Sequence, residues 1–240
     1  MRRRSSGVRR ADEFFGSDST KEWRADVERA IAILEPLVTD ERRVRLKEII
    51  AKRIDSVTVV MDAPHDPHNG GAVVRSCDAF GIQRLHVVER REPFLVATSV
   101  AKGSEKWVDV HLYETGAAAA EKLAERGHEF IATHPDGELA PEDLRGIARP
   151  ALVIGNEREG NAADLRERCA RAVRVPMRGF VDSLNLSVCT AILLAATVHG
   201  RRGDLSETER RRLYARGLFM TVPRAAEVLL DRRRAEGRAE

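Results

Sequence analysis

Asn69 and Arg75 lie six residues apart in the stretch DAPHDPHNGGAVVRS. Two prolines and two glycines make its first half an irregular loop, and a helix over 72–80 follows, with Asn69 able to cap it. The amino end of a helix attracts anions, and Arg75 adds a cation that stays charged in proteins. Such a pair suits the binding of an anion. A surface ion pair of Arg75 with Asp78 is the plainer alternative. His65, Asp66 and His68 do not have metal-ligand spacing, so no metal is expected.

A second stretch, ALVIGNEREGN, carries an apolar strand into Gly155, followed by Asn156, Glu157 and Gly160. Gly155 lets the chain turn or a ligand approach the backbone. The spacing is not the dinucleotide fingerprint, and the phosphate-loop lysine is absent. Alone, the stretch reads first as an ordinary strand-to-helix turn. A third, GFVDSLNLSVCTAILLA, places Asp182, Ser183, Asn185 and Ser187 just ahead of and inside an apolar helix over 186–199. One N-cap satisfies a helix start, so four polar side chains suggest a binding surface as well.

These stretches need elements to hold them. Short β-branched runs at 57–61, 85–88, 107–112, 130–133, 151–154 and 172–175 alternate with helical patterns at 72–80, 117–126, 162–170 and 186–199. That alternation predicts an α/β domain with a mostly parallel sheet, whose ligands bind at the carboxyl ends of the strands. The loops 62–71, 155–160 and 176–185 fall there. Two helices are expected between 21 and 53, and two more at 205–218 and 222–236. Residues 1–20 read as a flexible basic tail.

The chain has 240 residues, 42% hydrophobic and 33% charged, with no apolar run long enough to span a bilayer. Three separated cysteines argue against a disulfide framework and for a reducing, cytoplasmic setting. Net charge is +3, but residues 61–200 carry 16 basic against 20 acidic side chains, while residues 201–240 carry 11 against 7. Basic ends around an acidic middle fit a polyanionic partner.

In order and spacing, PHNGGAVVRSCDAFG, LVIGNEREG and VPMRGFVDSLNLSVCTAILLA resemble the three motifs of the SpoU (TrmH) branch of the SPOUT RNA methyltransferases. The segments HDPHN and KGSEKWVDV are also similar to the TrmH subgroup. The resemblance implies an α/β fold with a parallel sheet flanked by helices on both faces and a deep C-terminal trefoil knot. It divides the chain into a tail and helical extension at 1–54, a catalytic domain at 55–200 and a basic helical extension at 201–240. It also implies a cytoplasmic homodimer that uses S-adenosylmethionine to methylate the ribose 2′-hydroxyl of guanosine 18 in the tRNA D-loop, with no membrane or DNA partner. Another tRNA position, ribosomal RNA, or RNA binding without catalysis are the alternatives. No separate N-terminal RNA-binding domain is evident, which favours tRNA. Arg158, Glu159, Arg178 and Asp182 depart from residues usual in the subgroup.

Carried over by the resemblance, the catalytic residues are Arg75, Asn69, Glu157, Ser183 and Asn185. Arg75 is read as stabilising a developing alkoxide, with RNA phosphate taking the proton. The cofactor residues are Thr133, Ile154, Gly155, Asn156, Gly160, Val175, Pro176, Met177, Ser183 and Leu184.

Overall fold

The computed structural model describes residues 8–10, 24, 26–90, 92–156 and 160–236. Along the chain come β1 (Val8–Arg10), α1 (Val27–Leu34), α2 (Asp40–Ile50), β2 (Thr58–Asp62), α3 (Pro67–Ala79) and β3 (Arg84–Val88). Then follow β4 (Leu95–Ala97), α4 (Thr98–Ala101), β5 (Asp109–Tyr113), α5 (Gly116–Ala124), β6 (Glu129–Thr133) and β7 (Pro150–Ile154). The last are α6 (Ala163–Arg166), β8 (Arg171–Val173), α7 (Leu186–Val198), α8 (Glu207–Thr221) and α9 (Ala225–Glu236). The chain divides into two compact units, one of residues 1–14 and 54–201, the other of 15–53 and 202–240.

In the first unit six parallel strands run in the order β5-β3-β2-β7-β6-β8. Side chains alternate across it, as strand geometry dictates. Val59, Met61, Leu85, Val87, Leu152 and Ile154 form one core with Val73, Val74 and Cys77 of α3 and Leu193 and Leu194 of α7. Val60, Val88 and Val153 meet Ala119, Ala120 and Leu123 of α5 on the other face. Strands covered on both faces have little room for polar side chains, and every residue of β2 and β7 is buried.

Three local readings change. α3 begins at Pro67 and not at 72, because Asp66 is its cap: the Asp66 carboxylate accepts from the His68 amide at 2.8 Å. Gly70 and Gly71 therefore lie in a helix, where a Cβ would come within 2.7 Å of the Leu95 and Ala97 carbonyls. The helix predicted over 162–170 is a single turn at 163–166. Within the expected tail, residues 8–10 pair antiparallel with β4, whose free backbone groups they satisfy; residues 1–7 and 11–20 lie outside the described residues.

The second unit packs α8 against α1 and α2. Asp26 and Thr39 cap α1 and α2, and Ser206 and Glu209 cap α8 reciprocally. Leu34, Leu46, Ile50, Leu213 and Leu218 are buried. The Tyr214 hydroxyl donates to Glu35 at 2.6 Å, and Lys47 reaches the same carboxylate at 3.1 Å.

The α5 face of the sheet also carries an unusual polar patch. His86 and His111 stack with centroids 4.9 Å apart, and the Nδ1 of His86 lies 2.9 Å from the Tyr113 hydroxyl. Arg84, Arg126 and Arg149 converge on the Asp55 carboxylate. Burial, with these histidines and arginines close by, pushes His86 down to about 2. Burial and Arg149 push His128 down to about 4. Both are neutral when folded at pH 7 and would take a proton near pH 6.5 when unfolded. Stability from their neutral state is therefore complete above pH 6.5. It is lost as the pH falls toward 4 for His128 and further for His86. In urea unfolding from pH 7 to 5, we predict a loss on the order of 1 kcal/mol per pH unit per histidine. His86→Gln should make that slope shallower; an unchanged slope would refute the assignment.

Candidate active site

All three candidate loops open at the carboxyl edge of the parallel sheet. The first follows β2 and leads into α3. Asn69, in the first turn of α3, is buried, and its Oδ1 accepts a hydrogen bond from Nδ2 of Asn185 at 3.0 Å. Asn69 is thus engaged in a tertiary contact and is not the helix cap the sequence suggested. Arg75 stands further along the same helix, exposed, with no hydrogen bond or ion pair among the described residues. The pairing with Asp78 considered from the sequence does not form.

Asn185 answers why so many polar groups precede α7. Its Oδ1 accepts from the Ser187 amide at 2.9 Å and from the Ser187 hydroxyl at 2.6 Å. Its Nδ2 is left to reach Asn69. The cap and the bridge use opposite ends of one amide. Ahead of it, Asp182 and Ser183 are exposed and Leu184 is half-buried. Val175 packs on the core beside β8, Pro176 is exposed and Met177 half-buried.

The second loop leaves β7 at Ile154. Asn156 and Gly160 exchange backbone hydrogen bonds of 3.2 and 3.1 Å, which close it into a tight hairpin. A Cβ on Gly155 would lie 2.4 Å from the Gly160 carbonyl carbon and 2.6 Å from the Asn161 nitrogen. Gly155 is therefore required by the loop's own returning backbone. Gly160, at φ +70°, takes the left-handed conformation that glycine adopts at least cost. Glu157 lies outside the described residues.

Beside this hairpin is a cavity of about 530 Å³. Thr133 and Gly160, both expected to hold cofactor, line it; Ile154, Gly155, Asn156, Val175, Pro176, Met177, Ser183 and Leu184 do not. The Thr133 hydroxyl also donates to the Val153 carbonyl at 3.0 Å. His134, Glu138, Asn161, Arg166 and Arg171 complete its polar lining, and the sequence reading named none of these. The signal was present: THPDG follows β6 at the same edge as the other three loops.

The segment after β6 has a second role. His134 donates its amide to Val173 at 3.1 Å, Leu139 to Ala172 at 3.0 Å, and Arg174 donates back to Leu139 at 3.0 Å. β8 is thereby paired with β6 on one edge and bridged by Leu139. Gly137 passes so close that a Cβ would lie 2.6 Å from the Val173 carbonyl carbon.

With this geometry in view, likeness to other proteins becomes informative. A sequence profile of the SpoU rRNA Methylase family matches residues 56–195. A tRNA (guanosine(18)-2'-O)-methyltransferase of Escherichia coli is 30% identical over 198 residues, covering 78% of this chain and 86% of its own. One from Thermus thermophilus is 32% identical over 184 residues, covering 75% and 88%. Among solved structures, a TrmH/SpoU tRNA modifying enzyme of A. aeolicus has a TM-score of 0.67 at 28% identity, covering 77% of this chain and 98% of that one.

Proposed function

The chain belongs to the SpoU rRNA Methylase family, and on that premise we propose that it is an S-adenosylmethionine-dependent tRNA 2′-O-ribose methyltransferase acting on guanosine 18 of the D-loop. The observation that carries this reading is the unpaired, exposed Arg75 on a helix tied at its start to Asn185. The tRNA substrate is supported by the two tRNA-modifying relatives, whose matches extend well beyond residues 56–195.

The cavity beside the 155–160 hairpin fits the cofactor. Its volume of about 530 Å³ lies within the usual range for small-ligand sites. Its lining offers the cation of Arg166 to the cofactor's carboxylate, while Arg171 is paired with Glu129 and Glu138 accepts from the Ala172 amide. Thr133, Gly160 and the adjoining hairpin would hold it, with the 175–184 segment. When bound, the cofactor supplies an electrophilic methyl group. The gripping of β8 by β6 and by Leu139 supports the deep trefoil knot implied by the resemblance.

Arg75 acts on the other reactant. A guanidinium has five donors and no acceptor, so it does not remove the ribose proton. It stabilises the alkoxide as charge grows on the 2′-oxygen, and RNA phosphate takes the proton. Asn69 and Asn185 orient the helix that presents Arg75. Ser183 and Glu157 hold the target nucleotide.

The homodimer rests on α7. Val188 and Ile192, one turn apart, are 46% and 37% exposed, and Phe180 and Val181 ahead of them are exposed too. An apolar stripe of this kind suits a second copy of the same surface. No helix among the described residues is long and apolar enough to cross a membrane.

Three outcomes follow. Arg75→Ala should keep its unfolding midpoint, since the side chain has no partner among the described residues, and should abolish single-turnover methylation of tRNA; near-normal methylation would remove it from the mechanism. Sedimentation at micromolar concentration should give a dimer, and Val188→Asp with Ile192→Asp a folded monomer; a wild-type monomer would refute the assembly. For RNA binding, the arginines of α8 differ: Arg210 pairs with Glu207 and Arg211 with Glu28. Arg212, Arg232 and Arg233 are exposed and unpaired among the described residues. Replacing these three by Glu should weaken tRNA binding and flatten its salt dependence while leaving S-adenosylmethionine binding intact. Filter binding across a salt series that returned the wild-type affinity and slope would show that these helices do not touch RNA.

A further inference from the structure

Asp62, the last residue of β2, is an ionisable side chain only 1% exposed. Its Oδ1 accepts from Nε of Arg90 at 2.5 Å, and its Oδ2 from the Ala162 amide at 2.7 Å. Arg90 extends further, donating from Nη2 to Asp164 Oδ1 at 2.6 Å. Asp164 Oδ2 accepts from the Gly116 amide at 2.9 Å. One guanidinium thus joins the end of β2 to α6, and Asp164 passes the connection to the start of α5. The fork geometry of arginine suits two carboxylates in different directions.

The position of this cluster gives it meaning. Segment 155–162 leaves β7 at Ile154, which lies opposite Met61, the neighbour of Asp62. It returns at Ala162, whose amide is held by Asp62 itself. Both ends of the loop are therefore fixed at the end of β2. Ala162 offers α6 no side-chain cap, and the cap is delivered across 100 residues by Asp62. The same strand end leads, four residues on, to Asp66, the cap of α3. Arg90 adopts φ +51°, a left-handed conformation costly for a non-glycine residue, while engaged by both carboxylates. The clamp uses none of the residues assigned to catalysis.

We propose that Arg90 is a positioning residue for the cofactor site: by bridging Asp62, which holds the Ala162 amide, and Asp164 of α6, it fixes the point where the chain returns beside Gly160 and the cavity that receives S-adenosylmethionine. This role rests on the reading of that cavity as part of the cofactor site. The clamp holds Ala162 and the start of α6 in the free protein, so that side of the site is in place before the cofactor binds.

Two variants separate the clamp from general stability. Arg90→Lys keeps a cation for the buried Asp62 carboxylate but cannot span both acids. Asp164→Ala leaves the Asp62–Arg90 pair whole and removes the ties of Arg90 to α6 and of α6 to the Gly116 amide. Hydrogen exchange is followed in the free protein on peptides covering 155–165, and S-adenosylmethionine and tRNA affinities are measured on the same samples. Exchange should accelerate in those peptides and not in the sheet. S-adenosylmethionine affinity should fall about tenfold for Arg90→Lys, the scale of one lost charged hydrogen bond. tRNA affinity should stay within about twofold, well under the effect of one such bond. Unchanged loop exchange in both folded variants overturns the clamp whatever the chemistry. Acceleration throughout the first unit overturns it in favour of plain structural support. Faster loop exchange with unchanged S-adenosylmethionine affinity overturns the cofactor reading of the loop, and the positioning role with it.

Discussion

The side-chain amide of Asn185 can cap α7 and reach Asn69 at once only if α3 and α7 lie side by side on the same face of the sheet. That requirement shapes much of the first unit. The two helices share one core with β2, β3 and β7 through Val73, Val74, Leu193 and Leu194. Close approach of α3 to β4 is what excludes any side chain at Gly70 and Gly71. A buried amide with an unmatched donor or acceptor is costly, so the Asn–Asn contact also opposes sliding of one helix along the other. Arg75 is left out of this network.

Much of this was legible in the residues. Strand–helix alternation gave the parallel sheet, and turn chemistry placed three loops at its carboxyl edge. The failures share a cause: a residue's local preference was overridden by a distant partner. Asn69 has the chemistry of a helix cap, yet Asn185 takes its side chain and Asp66 caps in its place. The turn read at Gly155 is present, and what demands glycine there is the loop's own return. The cavity residues after β6 were missed for a different reason. THPDG reads as an ordinary turn, and its pairing along β8 has no local signature.

β2 is pegged at both ends by carboxylates. Asp55, just before it, gathers Arg84, Arg126 and Arg149; Asp62, its last residue, takes Arg90 and the Ala162 amide. A buried pair contributes little net stability over a well-packed apolar substitute, but removing one partner strands a charge at a cost of about 3–5 kcal/mol. Such groups therefore specify arrangement more than they add stability. The balance differs between the two ends. At the amino end three cations converge on one acid, and burial above all, with neighbouring histidines and arginines behind it, pushes His86 and His128 down. At the carboxyl end one cation is shared by two acids, and the bonds from Arg90 and Gly116 hold Asp164 below the usual carboxylate range. Each acid there bonds a backbone amide with its second oxygen, Asp62 that of Ala162 and Asp164 that of Gly116. The arginine is in this way converted from a local counter-ion into a fixture for backbone. The hairpin that borders the cavity is consequently held by electrostatics at its base and by mutual Asn156–Gly160 bonds across its neck.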